Sequence, residues 1–278
     1  MYLFILDLDG TVLGDVRFQV AKYSLHQSLR RHGFRPAASG PVPHAFHQDM
    51  HLIRPGFGNW MKSMKKRFPD SHFFVYTASE KAWAKVEVPW IEKSLGVQFS
   101  RPIFTRDDCL ADPSVFNYRK SLTRILPKIW KSVGKKLTAA EKATILQTRT
   151  MIVDNNSVFV DHTDHLLLCP DYAYTVFEDV LDGVPPALHD ATMVLALMNQ
   201  GLVCPNAHNK ADPVKGLAHR YQWLAKRCHA VTHENQSHVN DQFWRALRKL
   251  IAAHNVVQFT GTTVKALQER VWSAVASP

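Results

Sequence analysis

The chain is 278 residues long and 46% hydrophobic, enough to bury a full core without disulfide or metal staples. Cys109, Cys169, Cys204 and Cys228 lie far apart with no paired spacing, no apolar run is long enough to cross a bilayer, and no signal peptide is expected ahead of the first apolar run. These features exclude a disulfide scaffold and a membrane-spanning chain and predict a reduced intracellular compartment, cytoplasm or nucleus, while the net charge of +10 favours acidic partners.

The first element is the apolar run Phe4-Ile5-Leu6, which meets Asp7-Leu8-Asp9-Gly10-Thr11. Its composition predicts a strand buried on both faces, as in a parallel sheet, whose C-terminal end is where open α/β sheets place their chemistry. Period-two geometry points Asp7 and Asp9 the same way, and Gly10 breaks the strand. Two like charges at a buried strand end need a positive partner, and a hard cation held by oxygens, Mg²⁺, is the simplest. Asp-Leu-Asp alone would equally describe a strand leaving the core for water; Asp-x-Asp-Gly-Thr is more demanding. The segment resembles the first motif of the haloacid-dehalogenase superfamily of phosphotransferases.

Residues 21–32 follow as a short amphipathic helix, with Tyr23, Leu25 and Leu29 available for its buried side, stopped by Gly33. Residues 35–51 read as a loop whose histidines His44, His47 and His51 fit no standard metal spacing. The interval before Arg54 is too short for a large helical cap, so an essentially uncapped site is expected. A helix through Trp60, Met61, Met64 and Phe68 precedes a second strand, Phe73 to Tyr76, ending in Thr77-Ala78-Ser79. A hydroxyl there, before a helix N-terminus, is placed to bind phosphate, although Ser79 also reads as the helix cap.

Arg54-Pro55-Gly56 and Val75-Tyr76-Thr77-Ala78-Ser79 resemble the core of the small C-terminal-domain phosphatases and NLI-interacting-factor-like proteins. The strand and cysteine segment Ile103 to Cys109 and the run Tyr118-Arg119-Lys120-Ser121-Leu122 extend the likeness, which covers roughly residues 2–182. The resemblance implies an α/β, Rossmann-like parallel sheet over that span; the helical C-terminal appendage is read from apolar stripes beyond it. The resemblance also implies Lys120 as the lysine beside the aspartates. The last motif is Val153-Asp154-Asn155-Asn156-Ser157, an apolar strand ending in acid and amide; such residues are also common turn formers. By the resemblance, Asp154 and Asn155 complete a Mg²⁺ shell with Asp7 and the main-chain carbonyl of Asp9.

Between Pro127 and Arg149, Lys128, Lys131, Lys135, Lys136, Lys142 and Arg149 face only Glu141. This reads as a basic helical hairpin, capped at Thr138, that emerges near the sheet's working end and could meet a nucleic acid or another polyanion. Beyond Pro185-Pro186 the likeness fades. Residues 1–185 are therefore assigned to a phosphatase core carrying the basic insert at 127–149, and 186–278 to a helical region packed on it. In that region residues 187–199 read as a core-covering helix, while Phe243, Leu247, Leu250 and Ile251, then Val264, Leu267, Val271 and Val275, form two apolar stripes. Cys204, His208, Cys228 and His233 match no well-formed zinc motif.

The resemblance implies a Mg²⁺-dependent phosphomonoester hydrolase. Asp7 is its nucleophile and Asp9 its general acid and base. Thr77 and Lys120 hold the transferring group. An open site suits a phosphorylated macromolecule, most simply a phosphoserine or phosphothreonine protein. Gly10 points the other way, since protein-directed relatives carry glutamate there and Gly-Thr is common in small-molecule members. A phosphatase of nucleic-acid ends and a non-catalytic scaffold retaining the fold are the competing expectations.

Overall fold

The computed structural model describes residues 1–31, 33, 49–112, 117–176 and 235–276. The chain divides into two units, one comprising Met1–Gly14, Ile53–Ala173 and Asn240–Pro278, the other Asp15–Leu52 and Tyr174–Val239.

The first unit is built on a four-stranded sheet of order β2-β1-β5-β6, every neighbouring pair parallel. Its strands are β1 (Tyr2–Leu6), β2 (Ser71–Val75), β5 (Thr150–Asp154) and β6 (Leu166–Leu168). This is the expected α/β, Rossmann-like parallel sheet. Leu3 to Leu6 are buried on both faces of central β1, which is why the run is continuously apolar rather than alternating. The pleat still sorts them. Leu3 and Ile5 face Phe74, Tyr76 and Phe104 together with Ile125 and Ile129 of α4 (Leu122–Ser132). Phe4 turns to the opposite face, stacked on Phe73 at 4.9 Å and edge-on to Trp60 of α2 (Phe57–Arg67) at 5.6 Å.

Two C-terminal helices complete this unit among the described residues. In α6 (Phe243–Ala253), Trp244 packs on Trp60 with ring centroids 4.6 Å apart, and its indole N–H donates to Thr11 O at 3.2 Å. In α7 (Gly261–Ala276), Gln268 Oε1 accepts from Leu168 N and Trp272 Nε1 donates to Leu168 O, which satisfies the outer edge of β6. Between the core strands, α3 (Lys81–Leu95) follows β2. An antiparallel pair, β3 (Leu110–Asp112) and β4 (Asn117–Arg119), leads into Lys120. Then α5 (Ala139–Thr148) precedes β5 and opens on the capping box expected at Thr138, with Glu141 N donating to Thr138 Oγ1 and Thr138 N to Glu141 Oε2.

In the second unit, α1 (Arg17–Arg31) begins four residues before the expected start, because Phe18 and Gln19 are already buried. Gln19 Nε2 donates to Val176 O at 2.8 Å, Asn235 exchanges two hydrogen bonds with the Thr175 backbone, and the Tyr174 hydroxyl donates to Asp49 at 2.6 Å. Residues 34–48, with His44 and His47, and residues 177–234, with the loose Cys204, His208, Cys228 and His233 set and the helix expected at 187–199, lie outside the described residues. No helix among the described residues is long and apolar enough to cross a membrane.

The basic hairpin corrects one expectation. At least Lys135 is carried away from the working end of the sheet. Helix α4 starts there, at Ser121, but runs back along the sheet. Lys135, in the turn that follows, binds Asp70 at 2.7 and 2.9 Å, immediately before the start of β2. Lys128 pairs with Asp108 at 2.6 Å. Counter-charges from other elements therefore answer two of the lysines that the local sequence leaves unpaired.

Candidate active site

Because all four strands run the same way, the residues that follow β1, β2 and β5 meet at one end. β1 delivers Asp7 directly after its last residue. The chain then turns back, with Thr11 N, Val12 N and Leu13 N all donating to Leu8 O at 2.8 to 3.0 Å. Gly10 sits in this turn at φ 77°, and a Cβ there would lie 2.2 Å from both Asn155 Nδ2 and Asp171 Oδ1. The positive φ favours glycine, and any Cβ would have to displace the Asn155 and Asp171 side chains.

Lys120 reaches the same point from the end of β4. Its Nζ donates to Asp7 Oδ1 at 2.6 Å and to Asp154 Oδ2 at 2.7 Å, with the rings of Tyr76 and Phe159 packed 5.8 and 5.9 Å away. Lysine, Asp7 and Asp154 are all buried. The second oxygen of Asp154 accepts from Asn156 N at 2.8 Å. Asp9 Oδ2 lies across the turn, accepting from Ser79 Oγ at 2.7 Å and standing 3.5 Å from Thr77 Oγ1, which itself accepts from Ser79 N at 3.0 Å. Ser79 thus gives its hydroxyl to Asp9 rather than capping α3, whose N-cap position is Glu80. Thr11 Oγ1 bridges the two halves, 3.4 Å from Asp7 Oδ2 and 3.3 Å from Asn155 Oδ1, while accepting from Asn155 N at 3.0 Å.

The electrostatics follow from burial. Asp7 is pushed up to about 8: desolvation dominates, the Lys120 charge opposes it, and Asp154 and Asp9 add to it. Lys120 is held above its ordinary value because Asp7 and Asp154 together outweigh the desolvation that would lower it. Burial also raises the Cys109 thiol and pushes that of Cys169 to about 12, so neither is a thiolate nucleophile at neutral pH. Two carboxylates, Asp7 and Asp154, share the one ammonium, and a third, Asp9, lies close enough to Asp7 to raise it. That excess of negative charge, presented entirely by oxygen donors, fits a hard divalent cation. Among the described residues no three His, Cys, Asp or Glu side chains group closely enough to hold a metal by themselves. A cation here would need main-chain, amide or water oxygens beside the carboxylates. Asn155 Oδ1 presently accepts from Asn156 Nδ2 at 2.9 Å, and Asn155 Nδ2 donates to Asp171 Oδ1 at 2.8 Å.

The structure therefore brings Asp7, Asp9, Thr77, Lys120, Asp154 and Asn155 to one place. Sequence reasoning missed four residues beside them. Thr11 follows the paired aspartates and carried no expected contact, and Ser79 was expected only as a helix cap. Asp171 follows β6 as one more acid after an apolar run. Glu87 is an acid in an otherwise apolar stretch of α3. It is fully buried, accepts from the Trp83 indole through Oε1, and has no partner for Oε2; burial first, then the charges of Asp9 and Asp7, raise it well above the usual carboxylate range. Arg54 acts from behind the turn. Its guanidinium is bidentate to Asp241 at 2.9 and 2.8 Å and donates to Pro170 O at 2.8 Å and Gly10 O at 3.4 Å, so it ties the chain before α6 to the loop carrying the aspartates.

No family model and no curated protein matches the chain. Similar solved structures include Fcp1, described as an essential RNA polymerase II CTD phosphatase, at 15% identity and TM-score 0.37, covering 95% of this chain and 69% of that one. A variant of fission yeast Fcp1 bound to beryllium fluoride gives 14% identity and TM-score 0.37 over 95% and 70%. A haloacid-dehalogenase-superfamily hydrolase from Geobacter sulfurreducens gives 15% and 0.30 over 57% and 81%. Likenesses of this size do not set the activity, which has to be read from the site's own atoms.

Proposed function

We propose that this chain is a Mg²⁺-dependent phosphomonoester hydrolase that works through a phosphorylated Asp7. The observation that supports it most is the Lys120 ammonium held between Asp7 and Asp154 at 2.6 and 2.7 Å, with Asp9 on the Ser79 and Thr77 hydroxyls just before a helix N-terminus. A nucleophile, an acid–base partner and a cationic clamp then sit within one strand-end cluster.

In the first half-reaction an Asp7 carboxylate oxygen attacks phosphorus, and the bond from phosphorus to the ester oxygen breaks. Asp9 supplies the proton to that leaving oxygen. In the second half-reaction water attacks the phosphorus of the acyl phosphate and Asp9 takes its proton. The bond from phosphorus to Asp7 breaks, releasing inorganic phosphate and restoring Asp7. Lys120 fixes Asp7 and neutralises incoming phosphoryl oxygens, and the Thr77 hydroxyl with the start of α3 offers them hydrogen bonds. The carboxylates of Asp7 and Asp154, the Asp9 carbonyl and Asn155 would hold Mg²⁺. When bound it supplies the positive charge that lets Asp7 ionise and that draws electrons from the phosphoryl group.

The substrate we infer is an intracellular phosphoserine or phosphothreonine protein, on the strength of the ordered motif likeness. Gly10 remains the sequence feature that argues against it; a Cβ there would meet the side-chain ends of Asn155 and Asp171. No comparable observation favours a nucleic acid, since Lys128 and Lys135 are engaged by Asp108 and Asp70. The test is Mg²⁺-dependent release of phosphate from a phosphoserine peptide beside a 3′- or 5′-phosphorylated oligonucleotide, with Asp7→Asn as control. Turnover of the peptide alone, lost in Asp7→Asn, is expected. Turnover that survives in Asp7→Asn would refute the nucleophile, and preference for the oligonucleotide would refute the substrate class.

A further inference from the structure

A cavity of about 590 Å³ lies at the far end of the elements that build the active site. The start of β2, from Ser71 to Phe74, forms one wall, while Thr77, two residues past that strand, belongs to the site. Helix α3 begins beside Ser79 and ends at Leu95, and its C-cap Gly96 lines the cavity. Helix α4 begins beside Lys120 and ends at Ser132, also on the cavity wall. The space is thus distinct from the aspartate cluster and yet framed by the same strand and helices.

Its lining has two characters. Met61, Val97 and Phe99 give it an apolar side, and Phe99 is buried. Lys62, Lys65, His72 and Arg101 give it a basic side, and no carboxylate is among the described residues that line it. The basic groups are unequally committed. Arg101 is bidentate to Glu92 at 2.9 and 2.8 Å, and Lys65 donates to Ser71 O at 2.7 Å. Burial and the Lys65 charge hold His72 below its ordinary value, so at neutral pH it is an uncharged hydrogen-bonding group. Lys62 pairs with no carboxylate among the described residues; its Nζ lies near Gly96, where a Cβ would come within 3.7 Å. The Ser71 hydroxyl, at the base of the same wall, is buried and has no hydrogen-bond partner.

A volume in the range of small-molecule sites, with an apolar wall, a cationic rim and polar groups still to be satisfied, selects for a particular ligand chemistry. A neutral apolar molecule would leave the rim unanswered, and an inorganic anion would leave the apolar wall wet. We propose that this cavity is a binding site for a small organic anion, one with a flat apolar body against Phe99 and Met61 and a phosphate, sulfonate or carboxylate head against Lys62. Such a ligand would not be the substrate of the Asp7 site, because its head binds at the opposite end of β2.

The probe is naphthalene-1-sulfonate, which a phosphatase cannot hydrolyse, titrated into the full chain and followed by fluorescence and by displacement with inorganic phosphate. One saturable site is expected. Lys62→Glu, at an exposed helical position, is expected to raise its Kd about tenfold, which corresponds to about 1.4 kcal/mol. Hydrolysis of a small aryl phosphate should be unchanged in that variant. Ser132→Trp, which fills the cavity wall from exposed surface, should abolish binding while leaving the thermal transition in place. Equal affinity in wild type and Lys62→Glu would overturn the proposal. So would the absence of saturable binding, or complete displacement by phosphate at concentrations that only fill the Asp7 site. Loss of aryl-phosphate turnover in wild type would count against the proposed hydrolase and not against the cavity.

Discussion

Removing Mg²⁺ should make the stability of this protein fall as pH rises, and Asp7 is the reason. Its carboxyl is fully buried and raised from an ordinary value of 3.8 to about 8. In the unfolded chain it titrates in the normal acidic range. Between roughly pH 4 and pH 8 the folded metal-free protein therefore keeps a proton that the unfolded chain has lost. Unfolding releases that proton, so raising the pH favours unfolding across this window, and the dependence flattens above it. One proton corresponds to about 1.4 kcal/mol per pH unit. For a protein of this size that is roughly 2–3 °C in Tm per pH unit. The assay is thermal unfolding in chelator from pH 5 to 8, comparing wild type with Asp7→Asn, which cannot titrate. The wild-type Tm should fall more steeply than that of the variant by about this amount. Saturating Mg²⁺ should remove the difference, because the cation requires the ionised carboxylate. Calorimetry at pH 6.5 in buffers of different ionisation enthalpy should then show about one proton released per Mg²⁺ bound. Equal slopes in wild type and Asp7→Asn, or Mg²⁺ binding with no proton release, would refute the reasoning.

Glu87→Gln should raise Tm at pH 8 and leave it nearly unchanged at pH 4, since the amide keeps the acceptor for Trp83 and removes an acid that burial holds protonated; scanning calorimetry at the two pH values checks it, and equal shifts at both would contradict the buried-acid reading. Arg54→Met should cost about 3–5 kcal/mol, because Asp241 is left as an unpaired, mostly buried charge, and adding Asp241→Asn should restore part of it; urea unfolding of the two variants measures this. Gly10→Ala should cost about 1–3 kcal/mol and lower kcat, because the methyl must displace Asn155 and Asp171 at a positive φ; a variant as active and stable as wild type would show that the turn has other room.

The sequence by itself determined β1, β2 and β5 and what stands at their ends, whereas the strand expected from Ile103 is only the single bridge Tyr76–Phe104 followed by a 3-10 turn. Apolar runs such as Phe4 to Leu6 and Met151 to Val153 are legible because strands buried on both faces have no polar positions to interrupt them. Asp7, Thr77, Lys120 and Asp154 were legible because each follows such a run or sits in a motif whose order is local. Only the tertiary structure decided what those side chains touch. Lys120 lies more than a hundred residues from Asp7, and its ammonium is fixed between two carboxylates only once β1 and β5 pair. Ser79 reads locally as a cap, yet its hydroxyl goes to Asp9 because β1 and β2 are neighbours. Lys135 reads as part of a free basic run, yet helix α4 carries it to Asp70 at the other end of the sheet. Gly10 reads as a statement about substrate, yet two side chains from later in the chain already fill the space a Cβ would need. Hydrophobic patterning is a property of neighbours in sequence, whereas the partner of a charge or hydroxyl is set by strand order and helix direction, which bring together residues that no local pattern relates.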